Sequence, residues 1–124
     1  MNNEELIREI ERYEATLSGI LSRYANYHIK SGDDPLLRQV VRELIDLFND
    51  ALGTNSYSSQ IAGEFKVGVF NYTGAPSYKS VENIISVVRA AITRLKRNPD
   101  ILARQKSQRV HYTSREYLRH SWKR

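Results

Sequence analysis

Apolar residues in the first quarter of the chain recur at the spacing of one helix face. They follow one another at alternating intervals of four and three residues, at Leu6, Ile10, Tyr13, Leu17, Ile20, Tyr24 and Tyr27. This heptad spacing is typical of an amphipathic helix, so we expect one helix over residues 3–30. Ser31-Gly32-Asp33-Asp34 follows, and Gly32 suits the left-handed conformation that ends many helices.

Two further segments carry apolar positions at helical spacing, with start and stop signals. One helix is predicted to begin with Asp34 as its N-cap and to end at Gly53. Another is predicted to begin with Ser77 or Ser80 as its cap and to stop at Asn98-Pro99. Their predicted core faces consist of Leu37, Val41, Leu44 and Phe48, and of Val81, Ile84, Ile85, Val88, Ile92 and Leu95.

The segment between these two helices gives a mixed signal. Residues 56–66 are typical of a short helix capped by Ser56, whereas the valines within 66–70 alternate as in a short strand. With no partner strand in view, we expect an irregular connection over 66–79. The sequence therefore predicts an all-α bundle of four to five helices with a long N-terminal helix.

The predicted lengths indicate an uncovered surface on the first helix. At about 1.5 Å per residue it spans roughly 42 Å, whereas the helices between the predicted caps, 35–52 and 80–97, span about 27 Å each. An apolar overhang of about 15 Å needs another partner, and a second copy of the chain would supply one. The sequence therefore predicts a homo-oligomer whose self-association surface is Leu6, Ile10, Tyr13, Leu17 and Ile20.

The net charge of +5 lies entirely at the C-terminal end of the chain. Residues 1–99 carry 12 Lys or Arg and 12 Asp or Glu, whereas residues 100–124 carry seven bases against Asp100 and Glu116. This division predicts a helical domain over 1–98 and a basic extension over 99–124.

The extension interleaves basic and aromatic side chains. Arginine binds phosphates through two hydrogen bonds and aromatic rings stack on bases, so this mixture suits RNA or single-stranded DNA. In an alternative interpretation, the apolar side chains of the extension pack on the bundle and its arginines remain exposed to water. The candidate nucleic-acid-binding residues are Arg104, Lys106, Arg109, Tyr112, Arg115, Tyr117, Arg119, Trp122, Lys123 and Arg124.

Composition argues against several classes of protein. The chain has no cysteine and three histidines, and its only adjacent acidic pair outside the first helix is Asp33-Asp34, so we expect neither a metal nor a cofactor. Charge at the N-terminus does not suit a signal peptide, and no apolar stretch is long enough for a membrane span. These features predict a cytoplasmic protein without membrane contact.

One arginine–histidine pattern resembles that of the HEPN family of metal-independent nucleases. In that family an arginine is followed, after four to six intervening residues, by a histidine. The resemblance implies that such a pair cleaves RNA by activating a ribose 2′-hydroxyl and stabilising the scissile phosphate. The spacing occurs here at Arg23 and His28, at Arg104 and His111, and at Arg115 and His120. The last pair is the best candidate for catalysis, since His28 lies on the apolar side of the predicted first helix.

A second resemblance covers residues 36–97 and is carried mostly by hydrophobic positions. These residues are the run Glu43–Gly53, Ser56-Tyr57, Phe65, the run Ser80–Ile85 and the segment Ala90–Ile92. The segment resembles the N-terminal helical module that precedes an effector domain in many bacterial antiviral defence proteins. The resemblance implies self-association and a role in assembly or regulation. We therefore expect a non-enzymatic interaction or oligomerisation module, with nucleic-acid binding and HEPN-like ribonuclease activity as alternatives.

Overall fold

The protein is a helical bundle. The computed structural model describes residues 2–53, 55–71 and 76–98, with only the backbone of 67–71, and the described part contains no strand. Its four helices are α1 Asn3–Ser22, α2 Asp33–Leu52, α3 Ser56–Asn71 and α4 Tyr78–Arg97. The predicted all-α bundle is therefore confirmed.

The helices run alternately up and down, and each packs against its neighbours in the chain, while α1 also packs against α4. The Asn3 side chain donates to the backbone oxygen of Leu95 over 3.1 Å, so the start of α1 lies beside the end of α4. At the opposite end of the bundle, the Tyr24 hydroxyl donates to the backbone oxygen of Pro76 over 2.9 Å. The loop after α1 therefore lies beside the start of α4.

The four apolar stripes meet in one core. Each predicted core residue of α2 and α4 is buried, and Ile61 adds α3 to the cluster. Phe48 is fully buried and packs its ring 5.4 Å from that of Tyr57, which joins α2 to α3. Burying a side chain of this size contributes about 1.5–3 kcal/mol of transfer free energy, so the core supplies the main stabilisation.

The first helix is shorter than predicted. It ends at Ser22, with Arg23 as its C-cap, and residues 23–32 form a loop that contains an isolated bridge between Ala25 and His28. The apolar spacing continues through Tyr24 and Tyr27, but tertiary contacts of the loop take precedence over the local pattern. The prediction of one helix over 3–30 was wrong.

The predicted self-association surface lies inside the bundle. Since α1, α2 and α4 have 20 residues each, all three span about 30 Å and no apolar overhang is left. Leu6, Ile10, Leu17 and Ile20 are fully buried, and the half-buried Tyr13 donates to the Glu43 carboxylate over 3.1 Å. A second copy has no access to this face, which corrects the predicted surface.

The start of α2 differs from the prediction, whereas its end agrees with it. The N-cap is Gly32 rather than Asp34, whose carboxylate lies in the first turn and accepts a hydrogen bond from Arg38. At the other end, Gly53 has φ 67° and ψ −141° and its N–H donates to the backbone oxygen of Asn49. This backbone conformation suits glycine, so Gly53 ends the helix as predicted.

The third helix begins and ends differently from the prediction. The Asn55 side chain, not that of Ser56, accepts from the Ser58 N–H over 3.0 Å and so caps the helix. The same side chain donates to the Gly53 backbone oxygen over 2.7 Å. Residues 66–71 are helical and not irregular, although the alternating valines locally favour a strand.

The fourth helix matches its predicted limits. The buried Ser77 side chain accepts from the Ser80 N–H over 3.0 Å, and the helix stops at Arg97 with Asn98 as its C-cap. Arg94, Lys96 and Arg97 occupy the last turn, where the helix dipole favours positive charge.

Candidate interaction surface

The loop between α1 and α2 has the geometry of a tight hairpin. Ala25 and His28 exchange two backbone hydrogen bonds of 2.9 Å each, which close a two-residue turn around Asn26 and Tyr27. Both turn residues have positive φ, 51° and 65°. Two consecutive left-handed residues define a type I′ turn, which favours asparagine at the first position and glycine at the second.

An ion pair closes the base of this loop. The Arg23 guanidinium donates to both carboxylate oxygens of Asp33, over 2.8 and 2.9 Å, and so joins the end of α1 to the start of α2. Asp33 is buried, and its hydrogen bonds from Arg23 lower the pKa of its carboxyl group below the ordinary value. The loop is thus held in place by a bidentate contact between fixed helix ends.

A second contact holds the loop against α4. The half-buried Tyr24 donates its hydroxyl to the Pro76 backbone oxygen. Burial, with smaller contributions from the Asp34 and Asp33 charges, raises the pKa of Tyr24 to about 12. The hydroxyl therefore stays protonated at physiological pH and keeps its role as a donor.

Three tyrosine rings meet where the loop contacts the start of α4. We call Tyr24, Tyr27 and Tyr78 the tyrosine cluster. The ring of Tyr78 lies 5.6 Å from that of Tyr24 and 5.6 Å from that of Tyr27, with interplanar angles of 79° and 89°. Such edge-to-face pairs are favourable by about 0.5–1.5 kcal/mol beyond the area they bury. These ring contacts therefore help to hold the loop against the start of α4.

Tyr27 combines backbone strain with high exposure. Its side chain is 76% exposed although it is one of the largest apolar groups in the described part of the chain. A left-handed conformation costs a residue other than glycine about 1–2 kcal/mol. An exposed ring held in an unfavourable conformation is typical of a residue kept for binding and not for stability.

A groove between α1 and α4 begins at the tyrosine cluster. It has a volume of about 590 Å³ and runs along the outer surface of the two helices. Most of its lining is small or polar, and it consists of Ser18, Leu21, Ser22, Tyr78, Lys79, Glu82, Asn83, Ile85, Ser86 and Arg89. Ser18 and Ser22 are small residues of α1 that lie outside its apolar face. Both thus line an open groove.

The charges of this surface are nearly balanced. In the groove, Lys79 pairs with Glu82 over 3.4 Å, and Arg89 pairs with Glu14 over 2.5 Å. Around the hairpin, Arg23 and Lys30 act on the carboxylate of Asp33, and Asp34 pairs with Arg38. The surface therefore offers no concentrated charge to a polyanion or a polycation.

The structure gives Arg23 and His28 separate environments. Arg23 binds Asp33, while His28 is exposed in the hairpin bridge. The other two arginine–histidine pairs, Arg104 with His111 and Arg115 with His120, lie outside the described residues. So do all ten candidate nucleic-acid-binding residues and the predicted extension over 99–124.

Residues 2–53, 55–71 and 76–98 contain neither a metal-binding cluster nor a membrane-spanning helix. In this part, no three histidine, aspartate or glutamate side chains are grouped so that they could hold a metal ion. No helix there has the length and apolar character needed to cross a bilayer.

Comparison with known proteins gives no relative. No family model, no curated protein and no solved structure matches the chain.

The tyrosine cluster is the feature that sequence reasoning missed. The heptad spacing placed Tyr24 and Tyr27 on a continuous helix, whereas both belong to the loop. A signal was present, because asparagine is among the residues that adopt the left-handed conformation most readily, and Asn26 interrupts the helical pattern. The contact with Tyr78 joins residues about fifty positions apart and has no local signature.

Proposed function

We propose that this protein is a non-enzymatic protein-interaction module whose binding surface is the tyrosine cluster and the adjoining α1–α4 groove. The observation that carries the proposal is the exposed ring of Tyr27, held in a left-handed conformation at the tip of a loop with an ion-paired base. Tyrosine is enriched at protein-binding surfaces, because its rigid ring buries a large area at little cost in conformational entropy.

Site-specific photocrosslinking in cells tests this function. A benzophenone amino acid replaces Tyr27 in the full chain, and a matched variant carries it at Arg42, which is exposed on α2. We expect discrete protein adducts at position 27 and none of the same mass at position 42. Identical adduct patterns at both positions, or none at position 27, would contradict an interaction surface here.

A second candidate function is binding of RNA or single-stranded DNA through residues 99–124. The favouring observation is the charge division, zero over residues 1–99 and +5 over 100–124. Arg94 and Arg97, exposed in the last turn of α4, form no ion pair within the described part of the chain and add to the basic end. Concentrated positive charge favours polyanions through counterion release.

Truncation tests this second function. A chain ending at Asn98 loses the seven bases of 100–124, so its affinity for an oligothymidylate should fall at least tenfold relative to the full chain. Fluorescence anisotropy at several salt concentrations measures the affinity and its salt slope. Equal affinities of the two chains, or binding by the full chain that does not weaken with salt, would reject it.

Two proposals rest on resemblance. A role in a bacterial antiviral defence system implies self-association. That self-association would require a surface other than the predicted one, which lies inside the bundle. HEPN-like cleavage would depend on Arg115 and His120, and the test is loss of RNA cleavage in His120→Ala while the far-ultraviolet circular dichroism stays unchanged.

A further inference from the structure

The four helices do not share their charges evenly, although residues 1–99 are neutral as a whole. Helices α1 and α2 together carry ten Asp or Glu against four Lys or Arg, a net charge of −6. Helix α3 carries one of each, and α4 carries five Lys or Arg against one Glu, a net charge of +4. The bundle therefore has an acidic half, formed by α1 and α2, and a basic helix, α4.

Five carboxylates lie along the α1–α2 face at the end of the bundle where α1 begins and α2 ends. The Tyr13 hydroxyl bonds Glu43 over 3.1 Å, so these two residues lie at the same height on the antiparallel helices. Spacings of three and four residues continue each row on the same side of its helix. We call these residues the acidic seam, and they are Glu5 and Glu9 on α1 and Glu43, Asp46 and Asp50 on α2.

The acidic seam is negative although bases lie beside it. Arg12 pairs with Glu9, and Arg42 lies one turn before Asp46, so two bases stand against five carboxylates. Burial, the hydrogen bond to Glu43 and the charges of Glu43 and Glu9 raise the pKa of the Tyr13 hydroxyl above its ordinary value, and Arg12 opposes them only in part. A group between the two rows thus experiences a negative environment, which favours a basic ligand.

We infer that the basic segment 99–124 binds the acidic seam of its own chain. The segment carries seven Lys or Arg against two acidic residues, so its charge complements that of the seam. Asn98 lies beside the start of α1, since the Asn3 side chain bonds the Leu95 oxygen. At about 3.3 Å per residue, residues 99–104 span up to about 20 Å, which is enough to cross α1 and reach the seam.

Attachment at Asn98 makes weak ion pairs sufficient for this contact. Exposed ion pairs are individually weak, but a short tether holds the segment at an effective concentration of about millimolar. A segment bound to the seam is not available to a nucleic acid. The contact therefore limits the second candidate function, on which it does not itself depend.

Paramagnetic relaxation enhancement in the full chain tests the contact. The chain has no cysteine, so Ser114→Cys provides a single site for a nitroxide within the segment. We expect stronger broadening of the backbone amides of 5–13 and 43–50 than of those of 59–63, which lie at a similar height on the opposite side of the bundle. Because the contact is electrostatic, about 1 M NaCl should abolish this difference.

Two double variants of equal net charge separate the seam from charge in general. Glu9→Lys with Asp46→Lys reverses two charges of the seam, and it should reduce the seam broadening about fivefold. Glu64→Lys with Glu82→Lys reverses two charges on α3 and α4, and it should stay within about twofold of the parent. If the segment binds nucleic acid, the seam variant should also bind oligothymidylate about threefold more tightly than the control variant.

Several outcomes would overturn the inference. They are equal broadening on both sides of the bundle, broadening that persists at high salt, or equal effects of the two double variants. Broadening of an isotope-labelled parent by a separate nitroxide-labelled chain would also overturn it, because the contact would then join two copies. Seam broadening without oligothymidylate binding would leave the contact standing and reject the second candidate function. Oligothymidylate binding without seam broadening would reject the contact alone.

Discussion

At the scale of single residues, backbone conformation decides which side chains the fold tolerates. Tyr27 and Gly53 both have positive φ, but only Gly53 belongs to the residue type that adopts it freely. The sequence allowed a correct prediction for Gly53, because glycine after an apolar helical run is a recurrent end signal. It gave no such prediction for Tyr27, whose conformation follows from the hairpin bonds between Ala25 and His28.

The strain at Tyr27 has a measurable consequence. Tyr27→Gly and Tyr27→Ala both remove the ring contact with Tyr78, but only glycine relieves the left-handed backbone. We expect Tyr27→Gly to have a free energy of unfolding about 1 kcal/mol higher than Tyr27→Ala. Urea denaturation of the two variants measures the difference. Equal midpoints would show that residue 27 leaves the left-handed region in solution.

At the scale of elements, the ends of the helices depend on side-chain partners. Some of these partners are distant in sequence, and others lie one residue away from the position that the sequence predicts. The limits of α4 were predictable because Ser77 and Asn98-Pro99 are local signals. The end of α1 was not, because the bond from Arg23 to Asp33 spans ten positions and competes with an apolar pattern that continues through the loop. The helical backbone of 66–71 was missed since the alternating valines favour a strand locally.

The ion pair at the base of the loop predicts an acid-sensitive element. Because the folded state lowers the pKa of Asp33, its stabilising contribution is present above the ordinary aspartate pKa and is lost as pH falls through the lower, folded value. We expect the stability of Asp33→Asn to depend less on pH below about 4 than that of the parent. Urea titrations between pH 2 and 6 measure this, and parallel curves for both proteins would contradict it.

The cap of α3 provides a second test at this scale. Asn55→Ala removes the acceptor for the Ser58 N–H and the donor to the Gly53 oxygen. Loss of an N-cap of this kind costs about 1 kcal/mol, and Ser56→Ala should cost much less because Ser56 is exposed and is not the cap. Thermal unfolding of both variants checks the order, and a larger effect of Ser56→Ala would show that the cap is misassigned.

At the scale of the whole molecule, one core holds all four helices together. Helical spacing in the sequence predicted its members in α2 and α4, because burial and periodicity report the same face. It also selected the right residues in α1 but gave them the wrong role, since a buried stripe and an interface between copies have the same pattern. The length of α1 distinguishes the two roles, and the sequence predicted this length wrongly.

The role of the α1 stripe is decided by a core substitution. Leu17→Ala should lower the free energy of unfolding by about 2–5 kcal/mol, as expected for a fully buried leucine. Its molar mass in solution should equal that of the parent under conditions where both are folded. Denaturation and light scattering measure the two quantities. If the parent were a dimer and this substitution gave a stable monomer, the stripe would be the self-association surface that the sequence predicts.

The alternation of the helices has a spatial consequence for the two candidate functions. The hairpin with Tyr27 and the exit of the chain at Asn98 lie at opposite ends of α4, which is 20 residues and therefore about 30 Å long. A ligand on the tyrosine cluster would therefore lie about 30 Å from the residue at which the chain continues into 99–124.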